Sequence, residues 1–257
     1  MKQTLFPLLL FVSSVLFAQN KDYPIKPLAF NQVHLSDNFW LPRLKINETV
    51  TIPASFQRCE NTGRVKNFVM AAEHSGKFCT IYPFDDTDIY KTIEGASYSM
   101  SLFPDAKLAK YIDSLITIIA AAQEPDGYLY TARTIDPLHP QAWAGAKRWV
   151  NERKLSHELY NAGHLYEAAT AHYIATGKKN LLNIALKNAD LVCSVFGPAP
   201  AQQHTATGHE VVEMGLVKLY RITGEMKYLN TAKYFVEERG RDVSYDSTSK
   251  DEWKNGS

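Results

Sequence analysis

Cysteine is scarce in this sequence: Cys59, Cys79 and Cys193 are the only three among 257 residues. An odd, sparse set is not a disulfide framework. Nor do the spacings make a structural zinc cluster. The three read as buried thiols, with room for one disulfide at most. Neither sign of charge is in surplus, since 28 Lys and Arg face 27 Asp and Glu. Without a basic stripe there is no electrostatic footprint for nucleic acid. Long hydrophobic runs are missing too, except at the N-terminus. The run in MKQTLFPLLLFVSSVLFAQ is about 15 residues, short of the roughly 20 that cross a bilayer. It follows Lys2 and ends Leu16-Phe17-Ala18, the form of a secretory signal peptide over 1–18. No cysteine follows to carry a lipid anchor. The mature chain, cut after Ala18, is therefore expected to be secreted or periplasmic, with no membrane span left.

What is present in quantity is aromatic residues and a repeat. Tyr, Phe and Trp make up 12% of the chain, which suits a helical core and also suits a sugar site, where rings cover apolar sugar faces. The chain reads GHLYEAATAHYIATGKKNLLNIALKNAD from Gly163 and GHEVVEMGLVKLYRITGEMKYLNTAKYF from Gly208. Both pass an aromatic stretch, turn at Thr-Gly and resume with Leu and Ala at helical spacing. Thr176-Gly177 and Thr223-Gly224 lie 47 residues apart, a period that means stacked helical hairpins. A third hairpin is expected from Asp86, with Ile89, Ile93 and Met100 on one face, a turn at Pro104-Asp105, and a second helix ending before Pro125-Asp126-Gly127.

Before these hairpins, residues 19–60 read as an extended arm followed by a helix capped by Ser36 or Asp37. Residues 61–84, punctuated by glycine, read mostly as loop. A long loop over 127–150 precedes a helix over 154–176. The fold class is all-α. Helices such as LITIIAAA and EAATAHYIA are apolar on more than one face and need neighbours on both sides. Three hairpins make about half of a six-hairpin ring, that is, a partial (α/α)6 toroid, so 19–257 is expected to be the N-terminal portion of a longer catalytic domain.

The densest polar cluster is Ser156-His157-Glu158-Leu159-Tyr160-Asn161-Ala162-Gly163-His164. His157 and His164, seven apart, are expected on one helix face, with Glu167 close to His164. His157 and His209 each follow a loop and are expected to start a helix, which would aim both at one end of the stack. They are the first candidates for binding substrate. Asp88, in the acidic opening of a helix, is the third: it could cap or, with Asp86, line a rim that bonds sugar hydroxyls. Arg64 and Asn67, read as loop residues, could reach the same mouth. A zinc site of His157, His209 and a Glu is the rival reading, but there is no HExxH and the spacing assigns no ligands. A glycosidase needs two carboxylates flanking the bond. Asp88, Glu94, Glu158, Glu167, Glu210 and Glu213 are available, and spacing singles out no pair, so no catalytic residue is assigned.

The segments FWLPR (39–43), DDTDIYKTIEGASY (85–98), AAQEPDGYL (121–129), SHELYNAGHLYEAATAHYIATG (156–177) and GHEVVEMGLVKLYRITGEMKYL (208–229) together resemble the N-terminal half of glycoside hydrolase family 127, over about residues 33–241. The resemblance implies an (α/α)6 barrel followed by β-sandwich domains. It also implies retaining hydrolysis of terminal β-L-arabinofuranosides in plant glycans, by a zinc-bound cysteine nucleophile with a Glu as acid/base. By the same resemblance His157 and His209 match histidines that hold the sugar. The family's Glu-x-Cys and Cys-Cys motifs and its acid/base Glu lie beyond the matched stretch. The expectation is therefore an arabinofuranose-ended oligosaccharide or glycan as partner, no cofactor in this chain, and zinc in the full-length family. A non-catalytic, helical carbohydrate-binding or partner-dependent protein is the alternative.

Overall fold

A computed structural model of the chain describes residues 25–241. The secretory leader expected over 1–18 lies outside them. Among the described residues there is no strand, only an isolated bridge between Phe196 and Gln203. No helix among them is long and apolar enough to cross a membrane.

The N-terminal arm carries one 3-10 turn, Phe30–Gln32, and then enters α1 (Trp40–Ile46). Asp37 is the cap: its carboxylate accepts from the backbone N–H of Phe39 at 2.8 Å and of Trp40 at 2.5 Å. A π turn, Asn47–Thr51, joins α1 to α2 (Ile52–Asn61). Pro53 stands just after it and has no N–H to continue the ladder. Residues 61–84 are not mostly loop. They hold α3 (Arg64–Glu73), entered through Gly63 at φ 84 and left through His74 at φ 48. The open stretch is only the segment after it. Arg64 and Asn67 are thus helical, and Asn67 is buried, its side-chain oxygen accepting from the N–H of Cys79 at 2.8 Å.

Three hairpins follow as the periodicity predicts: α4 (Asp86–Leu102) with α5 (Ala106–Ala122), then, after the one-turn α6 (Thr131–Thr134) in the long loop, α7 (Glu158–Thr176) with α8 (Asn180–Val195), and α9 (Val212–Thr223) with α10 (Met226–Arg241). The last two turn in the same way. Gly177 and Gly224 are left-handed, at φ 72 and 76, and donate back to Tyr173 and Tyr220 at 2.8 and 2.7 Å. A side chain would be strained at either position. The Gly-His pairs are not equivalent, however. Gly163-His164 lies within α7, while Gly208-His209 precedes α9.

Helix α7 packs against α4 on one side, α9 on the other and α8 behind. It is accordingly buried along nearly all of Leu159–His172, which explains its lack of a polar face. Helices α4, α7 and α9 form one row, α8 backs α7 and α10 backs α9, while α5 packs on α3 and meets α8. Such a two-layer arrangement is consistent with an α/α toroid-type fold. The arm crosses the stack at one end: Phe30 meets Tyr98 near the close of α4, with ring centroids 4.7 Å apart, and Asn31 donates to the Ile174 carbonyl near the close of α7. The opposite end, where α4, α7 and α9 begin, carries the site.

Candidate functional site

The starts of α4, α7 and α9 bring a cluster of rings together. His157 and His209 lie 5.1 Å apart between centroids, tilted by 31°. Tyr160 sits beneath them, 5.8 Å from His157, 5.0 Å from His209 and 4.6 Å from His164. Phe84, from the turn before α4, closes on His157 at 4.9 Å and stacks on Tyr82, which meets Trp143 of the long loop. The Lys91 ammonium donates to the Tyr160 hydroxyl at 2.6 Å.

Neither histidine opens a helix in the expected way. Helix α7 begins at Glu158, and His157 is the left-handed residue before it, at φ 59 and ψ 28. Its carbonyl is held by the backbone and side chain of Asn161, both at 2.9 Å. His209 lies three residues before α9, exposed, in a loop whose preceding Thr207 is buried and bonded to Glu213. His157 and His164 therefore do not share a regular helix face; Tyr160 links them. Tyr160 was legible at i+3 from His157 and i−4 from His164. Phe84 and Tyr82 come from the loop before α4 and Trp143 from the long loop before α7, and they left no such signal.

The protonation states favour neutral acceptors. His157 Nδ1 is 2.5 Å from the Leu155 carbonyl, which can only accept, so Nδ1 carries the proton and Nε2 keeps its lone pair. Burial pushes the His157 pKa down, and His209 adds to that. His164 is pushed to about 4, by burial first and then by Lys91 and His209. A histidine neutral in the fold but charged when unfolded makes the fold lose stability as pH falls from about 6.5 through about 4. His164→Leu should flatten that part of the profile. Urea melts at pH 7 and 4.5 check it, and an unchanged difference between the two would contradict the assignment.

The third candidate, Asp88, stands apart from the rings. Its carboxylate pairs with Arg64, which also reaches Asp85 at 3.2 Å. It lines a cleft of about 470 Å³ with Thr51, Ser55, Arg58 and Lys91, joined to the ring cluster through Lys91. Asp86 is neither cap nor rim: it is buried and takes the N–H and hydroxyl of Thr131 at 2.9 and 2.5 Å. Glu167 is not bound to His164. It pairs with Lys218 of α9.

Every other carboxylate raised from the sequence also has a partner: Glu94 has Tyr98, Glu210 and Glu213 have Arg239, and Glu158 is deeply buried.

The sequence profile described as beta-L-arabinofuranosidase, GH127 catalytic domain, matches residues 32–255. The chain belongs to this family. Over 162 residues it is 39% identical to a non-reducing end beta-L-arabinofuranosidase of Bifidobacterium longum subsp. longum, a match covering 63% of this chain and 24% of that relative. A solved GH127 beta-arabinofuranosidase is similar at a TM-score of 0.82 and 56% identity, over 86% of this chain and 35% of that one. A GH127 beta-L-arabinofuranosidase from Geobacillus stearothermophilus T6 follows at 0.76 and 35%, with the same coverage. The chain thus spans about a quarter to a third of the length of these relatives.

The zinc implied by the GH127 resemblance finds no donor set among the described residues. All three thiols are free and in different surroundings. Cys59 is buried in α2, where burial pushes its thiol pKa up. Cys79 is exposed, and Cys193 lies on α8. No group of three or more His, Cys, Asp or Glu converges among the described residues.

Proposed function

We propose that this chain recognises a terminal β-L-arabinofuranosyl group of a plant-type glycan, as the substrate-contacting part of an exported β-L-arabinofuranosidase. The observation that carries the reading is the ring cluster at the starts of α4, α7 and α9. There the free Nε2 of His157 and the imidazole of His209 stand 5.1 Å apart between centroids, beside the Tyr160 hydroxyl. Imidazole nitrogens hydrogen-bond sugar hydroxyls, and the surrounding rings offer apolar faces to the furanose carbons. Asp88 and Lys91 extend this polar edge toward the neighbouring cleft. The activity named for the relatives supports the choice of sugar.

In this reading residues 1–18 are a leader, removed on export, and 19–257 are the N-terminal portion of an (α/α)6 catalytic domain, about half the ring. The bond-breaking groups then belong to residues outside 1–257. The share of the relatives' length that the chain spans supports this, as does the engagement of each candidate carboxylate with a partner of its own.

The purified chain should bind methyl β-L-arabinofuranoside weakly by calorimetry. His157→Ala and His209→Ala should each reduce that binding about tenfold, the worth of one well-placed hydrogen bond. Binding indifferent to both substitutions would remove the site. Turnover of an aryl β-L-arabinofuranoside by the chain alone would overturn the division between recognition and chemistry.

A further inference from the structure

Next to His157, the first residue of α7 is a buried acid. Glu158 is 2% exposed and its carboxylate takes four hydrogen bonds. Tyr128 Oη donates to Oε1 at 2.5 Å, the Trp149 N–H reaches both oxygens at 2.9 Å, and Ser156 Oγ donates to Oε2 at 2.8 Å. Those donors sit at separate points of the long loop that leads into His157. Two residues of this loop, Trp149 at φ 68 and His157 at φ 59, are left-handed without being glycine. Each such residue costs about 1–2 kcal/mol, and it persists only where surrounding contacts over-determine the backbone. Glu158 bonds the N–H of one and adjoins the other.

A second acid completes the arrangement. Glu152, 3% exposed, accepts from the Leu159 N–H at 3.0 Å and lies 3.5 Å from Ser156 Oγ. Burial, then the charge of Glu158, pushes Glu152 up to about 8, so in neutral solution Glu152 holds a proton; burial raises the Glu158 pKa as well, against the pull of its three donors. Tyr130 ties the turn down from the other side, its hydroxyl donating to the Ser156 carbonyl at 2.5 Å.

We infer that Glu158 is a positioning residue: its buried carboxylate, gripping Tyr128, Trp149 and Ser156, holds the left-handed turn that sets the His157 ring against His209. The inference deepens the sugar-site reading above and rests on it for its functional meaning. Glutamine at 158 would keep the shape, but its amide would present N–H groups to a ring of donors, and at least one donor would be left unpaired.

The test is a ring-proton measurement on the whole chain. Centroids 5.1 Å apart give a nuclear Overhauser effect between His157 and His209. In Glu158→Gln the helical circular dichroism should stay, while that cross-peak disappears and His157 loses the shift imposed by Phe84 and Tyr160. Tyr128→Phe and Ser156→Ala each remove one donor and should weaken the cross-peak by degrees; they decide the matter if Glu158→Gln does not fold. A cross-peak of undiminished strength in the folded variants overturns the inference. Methyl β-L-arabinofuranoside is then added to the wild-type chain. If it leaves His157 and His209 unmoved, the sugar reading fails while the cross-peak result stands on its own.

Discussion

Gly163→Ala is expected to destabilise the chain by about 1–3 kcal/mol, the usual cost of overpacking, and to pull His209 away from His157. A Cβ at 163 would lie 2.6 Å from the Val212 nitrogen and 2.7 Å from the Val211 carbonyl carbon. Both are backbone atoms, so no side chain can swing aside. Gly215 faces the same crossing, where a Cβ would come within 3.0 Å of the Gly163 carbonyl oxygen. Helices α7 and α9 therefore touch backbone to backbone, and that contact sits two residues from His209. The other glycines make internal controls. Gly95→Ala meets nothing within 4 Å in the middle of α4 and should stabilise by about 0.5–1 kcal/mol. Gly177→Ala also has open space, but at φ 72, and should cost about 1–2 kcal/mol through backbone strain alone. Urea denaturation of the three variants checks the order. Equal stability of Gly163→Ala and wild type would mean that the helices can separate without loss.

Asp86→Ala is expected to cost about 2–5 kcal/mol, because it strands the N–H and hydroxyl of Thr131 in a fully buried place, at about 1–3 kcal/mol for each group. Asp86→Asn should cost far less, since the amide can accept from the N–H and donate to the hydroxyl. The pair also separates by pH. Burial is the main cause that lifts Asp86 from 3.8 to about 7, and Asp85 and Asp88 add to it. A carboxyl protonated in the fold but ionised when unfolded favours the fold at low pH, and that advantage is lost as pH rises from about 4 through 7. Wild type should therefore lose ground to Asp86→Asn between pH 5 and 7.5. Melting both proteins at the two pH values tests the sign, and a wild type that holds or gains ground on Asp86→Asn as pH rises would reject a raised pKa for Asp86.

The hairpins were legible because each rests on local chemistry. Apolar residues at helical spacing make the helices, and Gly177 and Gly224 end α7 and α9 in the same left-handed cap. Helix α3 was hidden by the same logic. Gly63 and Gly76 bracket it and look like loop punctuation, and it ends on His74, a residue rarely left-handed. Convergence of His157 and His209 at one end was readable from the two loop-to-helix junctions. Their backbone settings were not, since His157 sits in a left-handed turn pinned from Tyr128 and Trp149. Asp86 was misread for a related reason. A helix-opening acid usually caps, and nothing nearby in sequence points to Thr131, 45 residues away.

The account turns on a sugar meeting the rings at the starts of α4, α7 and α9. The most direct measurement is a heteronuclear NMR titration of the chain with methyl β-L-arabinofuranoside, following backbone amide signals together with histidine and tyrosine ring signals. The account predicts saturable shifts at His157, His209 and Tyr160, weaker ones at Lys91 and Asp88, and none at His172, which is buried on α7. Shifts spread evenly over the surface, or absent from His157 and His209 at saturating sugar, would contradict it.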